Sequence, residues 1–250
     1  MSPTEPPSNY RDRIYGRYVT AHADLCTPRT LAELWSQIPY FRKLVRVHFP
    51  GDRTASIVDL GCGCGRLVYA LQQAGFSNVR GIDVSPEQIR IAKSLGISGV
   101  EQGDLLDVLA ESPSESLDSV ICFDVIEHFT KSELIEFTDS VRRILRPNGR
   151  WLIHVPNAES PLWGRVRYGD FTHEQAFTRQ SLEQLLLSSG FRSVECFEDR
   201  PVVHGLKSAL RALLWHAIRG VLLVYMAVEN GTIDAKHILS QNMLAVATRS

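Results

Sequence analysis

Apolar and polar positions along this chain fall into blocks that predict helices and strands by turns. Between 28 and 45 the chain has apolar residues at Leu31, Leu34, Trp35, Ile38, Phe41 and Val45, a helical spacing, with Thr27 placed to cap it and Pro28 at its first position. From 56 the rhythm changes. Residues 56–60 read as a short buried strand, 66–74 as a helix and 79–84 as a second strand, and Ser85-Pro86 opens a helix running to about Leu95. Short strands follow at 100–103 and 117–124. An amphipathic helix at 131–145 is ended by Pro147-Asn148-Gly149, and a fifth strand at 150–155 is stopped by Pro156. Next come a long loop (156–177), a helix at 179–189, a strand near 191–197, an apolar helical stretch at 206–228 and a last strand at 243–248.

Strands alternating with helices at this spacing make βαβ units, hence a parallel sheet with helices on both faces. The expected fold is a Rossmann-like, doubly wound α/β sheet. Residues 1–50 are expected as an N-terminal helical cap or lid, and 51–250 as the main domain with a helical insert at about 205–230. Two late strands separated by that insert suit a last strand that turns back antiparallel. The length, 250 residues, is comfortable for one such domain.

Charge and cysteine content narrow the classes of function. Lys and Arg number 27 against 28 Asp and Glu, a balance with no global field to coat a long nucleic acid. Five cysteines (Cys26, Cys62, Cys64, Cys122, Cys196) make a sparse, odd set in which Cys62 and Cys64 stand too close for an easy disulfide. Reduced thiols in a cytoplasmic protein are expected, and the polar start MSPTEPPSNYRDR lacks the apolar core of a signal peptide. The 206–228 stretch carries Lys207, Arg211, His216 and Arg219, so its uncharged run is too short to span a bilayer. It is expected as a core or homodimer helix whose cations face water. The alternative is a basic, Trp215-containing helix lying against the inner face of an anionic membrane.

The candidate chemistry starts where the first strand delivers Asp59-Leu60-Gly61-Cys62-Gly63-Cys64-Gly65. Alternating glycines let the backbone turn tightly and approach a ligand, and the next helix presents free N–H groups. Arg66 replaces the last glycine of a dinucleotide fingerprint, and Asp59 repels a diphosphate but suits the ammonium of an amino acid. Asp83 ends the second strand, where a carboxylate takes both hydroxyls of a ribose, and Asp104 ends the third, where it can accept from an adenine amine.

Taken in order, VDLGCGCG, GIDVS, EQGD, SVICFDVIEHF and LRPNGRWLIHVPN resemble the class I S-adenosylmethionine-dependent methyltransferases over roughly residues 54–160. The resemblance implies a seven-stranded sheet with the last strand antiparallel and S-adenosylmethionine as methyl donor. It implies that Gly61, Cys62 and Gly63 line the methionine part, Asp83 and Val84 the ribose side, and Asp104 and Leu105 the adenine. Phe123 and Asp124 are implied beside the sulfonium. Cys62 would serve through its backbone.

At the acceptor end, a helical turn would set Asp124, Glu127 and His128 on one face, a set able to bind Mg²⁺, Mn²⁺ or Fe²⁺. The same turn also occurs where a histidine simply closes a strand–helix junction. The V-I-E-H turn and the later His173, followed by Phe177 and Thr178-Arg179, resemble small-RNA 2′-O-methyltransferases and ubiquinone-pathway O-methyltransferases. That resemblance implies Mg²⁺ held at vicinal hydroxyls by Asp124, Glu127, His128 and His173. Two routes stay open: His128 or His173 as general base, or the same two as metal ligands, since a metal-bound nitrogen cannot also take a proton. Segments 201–207 and 241–247 resemble methyltransferases of bacterial polysaccharide biosynthesis.

The loop 160–170, with Trp163, Arg165, Arg167 and Tyr168, is expected either as a lid or acceptor wall or as a solvated surface loop. The sequence thus points to O-methylation of a sugar, lipid-linked sugar or other hydroxylated small molecule, with Mg²⁺ assistance. Quinone or phenol O-methylation, RNA 2′-O-methylation and a non-catalytic S-adenosylmethionine-binding module are the alternatives.

Overall fold

A computed structural model describes residues 10–21, 28, 30–34, 38–231 and 236–250. Cys26, Thr27 and Trp35 lie outside the described residues. In chain order come α1 (Tyr10–Tyr15), α2 (Tyr18–Ala21), α3 (Leu31–Leu34), α4 (Ile38–His48), β1 (Ile57–Leu60), α5 (Arg66–Gln73), β2 (Val79–Asp83) and α6 (Pro86–Ser94). They are followed by β3 (Val100–Gln102), α7 (Leu105–Glu111), β4 (Leu117–Phe123), a 3₁₀ turn (Ile126–His128), α8 (Lys131–Ile144) and β5 (Leu145–Pro156). The chain closes with α9 (Trp163–Arg167), α10 (Arg179–Ser188), β6 (Phe191–Glu198), α11 (Leu206–Asn230) and β7 (Asn242–Arg249).

The strands form one seven-stranded sheet in the order β3-β2-β1-β4-β5-β7-β6. The pairs from β3 to β5 are parallel, and β7 runs antiparallel to both β5 and β6. β1 is buried along its whole length, as a central parallel strand must be. Its side chains divide by the two-residue period. Ile57 joins Leu71, Phe41 and Leu152 in one apolar layer, and Val58 and Leu60 join Phe137, Trp151 and Ile153 in the other. The strand order reverses between β1 and β4, so a crevice opens at their carboxyl ends.

Local chemistry sets the helix starts. Ser85 caps α6 with Pro86 at its first position, and Thr130 and Glu133 form a reciprocal capping box on α8. Several expectations need correcting. Pro28 is not helical, and the single helix expected over 28–45 is instead α3 and the separate α4, with 35–37 outside the described residues. β5 begins at Leu145, which pairs with Leu117 before a register shift, rather than at Arg150. α7 was not anticipated: Asp104 caps it, its side chain accepting from Leu106 N and Asp107 N. α11 is not a core helix, since Ser208 and Ala212 are its buried residues. Its cations do not all face water either, because Arg219 turns inward to Glu198.

Candidate functional site

Two clefts meet at the carboxyl end of the sheet. The narrower, about 470 Å³, runs past Gly63, Asp83, Val84, Asp104 and Leu105 to His128. The larger, about 800 Å³, runs from Asp59 and Cys62 past Tyr40 and His154 to Asp199. They share Gly61, Gly63, Gln88, Phe123 and Asp124. Every residue expected at the cofactor end therefore lines one cleft or both.

The turn after β1 is shaped by backbone demands. Gly61 sits at φ 77, and a Cβ there would come 2.3 Å from Val125 Cγ2, so no other residue fits without displacing the start of the next loop. Asp83 holds the turn: its Oδ2 accepts from Gly63 N at 2.8 Å and its Oδ1 from Ser85 N at 2.8 Å. Burial raises the Asp83 pKa against the pull of those two bonds. Asp59 is buried on the cleft wall with Oδ1 lacking any partner. Burial, reinforced by Asp83, pushes its carboxyl up to about 7. Such a carboxylate calls for a cation. Asp104 does double duty, capping α7 through Oδ1 while lining the narrower cleft. Cys62 and Cys64 are buried thiols with raised pKa, burial being the main cause, so they carry no reactive thiolate.

At the acceptor end the geometry differs from the expected helical face. Asp124 takes φ 57, in the left-handed region, and the turn that follows is 3₁₀ over Ile126–His128. Asp124 therefore leaves the company of Glu127 and His128. Its Oδ1 instead lies 2.6 Å from His154 Nδ1. The described cluster able to hold a metal is Glu127, His128 and His173, whose ligand atoms lie within 4.8 Å of one another. Main-chain bonds bring His173 there: Glu174 N and Gln175 N both donate to Glu127 O, at 2.8 and 2.9 Å.

Glu127 is 0% exposed, and neither carboxylate oxygen has a hydrogen-bond partner. Burial, then the charge of Asp124, drives its pKa well above the ordinary carboxylate range. Second contacts fix both imidazoles. Thr172 Oγ1 donates to Asp170 Oδ1 at 2.6 Å, so at 2.9 Å it accepts from His128 Nδ1–H. His173 Nδ1–H donates to Val166 O at 3.0 Å. Each ring thus keeps the lone pair on Nε2, the tautomer that a hydrogen bond from Nδ1–H gives to metal-ligating histidines. Burial, then His173, lowers His128 to about 4, so its ring is neutral near pH 7.

Sequence reading missed His154. Its only sequence signal is a lone histidine inside the apolar strand β5. It stacks on Phe123 at 3.9 Å between ring centroids, with Asp124 on Nδ1 and Asp199 Oδ2 3.5 Å from Nε2. Burial disfavours the charged ring, but the two carboxylates outweigh it and hold the pKa up at about 10. Raised above its ordinary 6.5, this group gives stability that is complete below about pH 6.5 and lost as pH climbs towards 10. The unfolding temperature should therefore fall across that window, and His154→Phe should flatten the fall. An unchanged slope in the variant would remove His154 from the account.

Around these clefts, Arg11, Tyr15 and Tyr18 of the first two helices line the narrower one. Arg11 makes a two-pronged pair with Glu133 at 2.7 and 3.0 Å, and Glu87 accepts from Val19 N and Thr20 N. From the 160–170 loop, Arg167 and Tyr168 line a separate outer pocket with Tyr10 and His173, and neither they nor Trp163 and Arg165 line the two clefts.

A family model described as "Methyltransferase domain" matches residues 17–196. A "Ubiquinone biosynthesis O-methyltransferase" of Xylella fastidiosa is 33% identical over 108 residues, 41% of this chain and 42% of that protein. The chain thus spans less than half the length of that curated relative. A S-adenosylmethionine-dependent methyltransferase of Archaeoglobus fulgidus superposes with a TM-score of 0.63 at 19% identity, covering 86% of this chain and 98% of its own. A phosphoethanolamine N-methyltransferase of Haemonchus contortus, solved with S-adenosylhomocysteine, gives 0.58 at 16% identity, covering 86% of this chain and 52% of its own.

Proposed function

Because the chain belongs to the methyltransferase-domain family and carries its class I fold, we propose that it moves a methyl group from S-adenosylmethionine to a hydroxyl of a small quinone-type or phenolic acceptor. The observation that carries the cofactor reading is the edge formed by Asp59, Gly61, Gly63, Asp83 and Asp104. A buried, unpartnered carboxylate oxygen on Asp59 matches an ammonium, and a turn with no room for a side chain lets the backbone approach. Asp83 would hold the ribose, with Val84 beside it, and Asp104 and Leu105 the adenine. When bound, S-adenosylmethionine supplies an electrophilic methyl on a sulfonium.

Phe123 and Asp124, on the wall common to both clefts, are read as the place where donor and acceptor face each other. The chain's main task there is alignment, and orientation of this kind supplies about 7–11 kcal/mol. The first two helices, fastened by Arg11 to Glu133, are read as the lid that keeps water out.

Glu127, His128 and His173 fit a divalent cation, which when bound supplies a Lewis acid that lowers the pKa of an acceptor hydroxyl. One carboxylate and two imidazoles suit Mn²⁺ or Fe²⁺ better than the Mg²⁺ that the resemblance implies. The two histidines are then ligands rather than bases. The acceptor shifts from the sugar expected from sequence to a quinone-type molecule because curated relatives are named for O-methylation in ubiquinone biosynthesis.

The test is to incubate the purified chain with S-adenosylmethionine, hydroquinones and catechols on one side and simple glycosides on the other, and to measure S-adenosylhomocysteine. Product is expected with the aromatic diols, lost after EDTA and restored by Mn²⁺. Product with glycosides alone would overturn the acceptor. Full activity after exhaustive chelation would overturn the metal and return a histidine to the role of base. Cofactor binding without turnover across both sets would make the chain a binding module.

A further inference from the structure

Water selects polar residues for the outer face of a surface helix, and α11 shows the reverse. Leu210, Leu213, Leu214, Val221, Val224 and Tyr225 are each more than half exposed, and Leu206 and Val228 at the two ends are 91% and 81% exposed. At 3.6 residues per turn these positions share one arc, opposite the buried Ser208 and Ala212. With 25 residues, and a mean hydropathy of 1.4 over its most apolar 18, the helix is long and apolar enough to cross a bilayer by length and composition. Its middle, however, is tied to the rest of the chain through Arg219. Arg219 Nε donates to Glu198 Oε2 at 2.9 Å and its Nη2 to His237 O at 3.1 Å, while Leu239 N donates to Glu198 Oε1 at 3.0 Å. His237 and Leu239 of the returning chain thus meet Arg219 and Glu198 at that point, and Ile238 and Leu239 are buried.

We propose that the outer face of α11 docks on an anionic lipid surface, lying in the headgroup layer rather than spanning it. Charge selects this occupant. Along Leu206–Asn230 the helix carries Lys207, Arg211 and Arg219 against one carboxylate, Glu229, in its last turn; with Arg219 engaged by Glu198, the exposed cations are Lys207 and Arg211, both in the first two turns and away from Glu229. Cations at the edge of an apolar arc match negative headgroups over hydrocarbon. The face also continues into the larger cleft, whose wall includes Pro201, Val202 and His204 leading into α11 and Arg211 on it. A lipid-dissolved molecule would reach the cleft mouth from the bilayer side.

Docking is independent of the methyl-transfer reading and is measured without turnover. The full chain is floated with vesicles of phosphatidylcholine, with and without phosphatidylglycerol. It should rise with the anionic vesicles and bind about thirtyfold less to the neutral ones, as two interfacial cations dictate. Leu213→Glu combined with Val221→Glu should abolish flotation while S-adenosylhomocysteine binding and far-UV circular dichroism stay as in the wild type. The wild-type comparison between vesicle compositions stands even where that variant fails to fold. Failure of the wild type to float on anionic vesicles would overturn the proposal. A vesicle-independent dimer in sedimentation velocity that Leu213→Glu splits would overturn it too, giving this face to a second copy.

Discussion

Asp83→Ala should weaken binding of S-adenosylhomocysteine by about 100-fold or more. Two hydrogen bonds from ribose hydroxyls to a charged acceptor are worth about 3 kcal/mol together at the low end of their range, and each 1.4 kcal/mol is a factor of ten. The loss is compounded because the same carboxylate accepts from Gly63 N and Ser85 N, so the variant also frees the turn that the cofactor must find already formed. Asp83→Asn keeps one oxygen acceptor and should fall between the two. Titration calorimetry on all three proteins reads this directly. Wild-type affinity in Asp83→Ala would show that the nucleoside lies elsewhere.

The second large effect has opposite signs in two assays. Glu127→Gln should abolish Mn²⁺ binding and at the same time raise the unfolding temperature of the metal-free protein at neutral pH. Both oxygens of Glu127 are buried without a hydrogen-bond partner, and its folded pKa stands well above 4.5. A carboxyl raised on folding binds its proton more tightly in the native state. It therefore costs no stability below about pH 4.5 and an increasing amount as pH rises from there towards the folded pKa. Glutamine removes that cost, and a bound cation would offset it in the wild type. Manganese electron paramagnetic resonance and thermal unfolding at several pH values check the pair. A variant that loses stability at pH 7 would mark Glu127 as an ordinary structural residue, and one that still binds Mn²⁺ would dissolve the metal centre.

Much of the fold was legible because its strands and helices differ in period, and because Gly, Pro and capping residues mark most of their ends. Apart from α7, the strand–helix alternation from Ile57 to Pro156, the antiparallel β7 and the insert between β6 and β7 all follow from pattern. That Asp59, Asp83 and Asp104 converge on the clefts was legible for a related reason: each stands at or near a strand's carboxyl end, and parallel strands bring those ends together. What escaped depends on contacts between distant segments or on backbone angles. A helical turn beginning at Asp124 was a fair reading of D-V-I-E-H, yet φ 57 at Asp124 sends its carboxylate to His154 on the neighbouring strand. His154 itself looks like a stray polar residue in β5 until Asp199, from beyond β6, closes on its other nitrogen. α7 was missed although a helix cap was an open reading of Asp104; its side chain both caps α7 and lines the cleft. The apolar run of α11 suggested burial, since composition cannot say which side of a helix the rest of the chain will cover.

The central claim is that the edge from Asp59 to Asp104 binds a sulfonium nucleoside. Isothermal titration of the wild-type chain with S-adenosylhomocysteine, with NADH as the competing dinucleotide, tests it most directly. A saturable heat at one site per chain for the former and none for the latter is the predicted result. Binding of the dinucleotide with no heat from S-adenosylhomocysteine would contradict it.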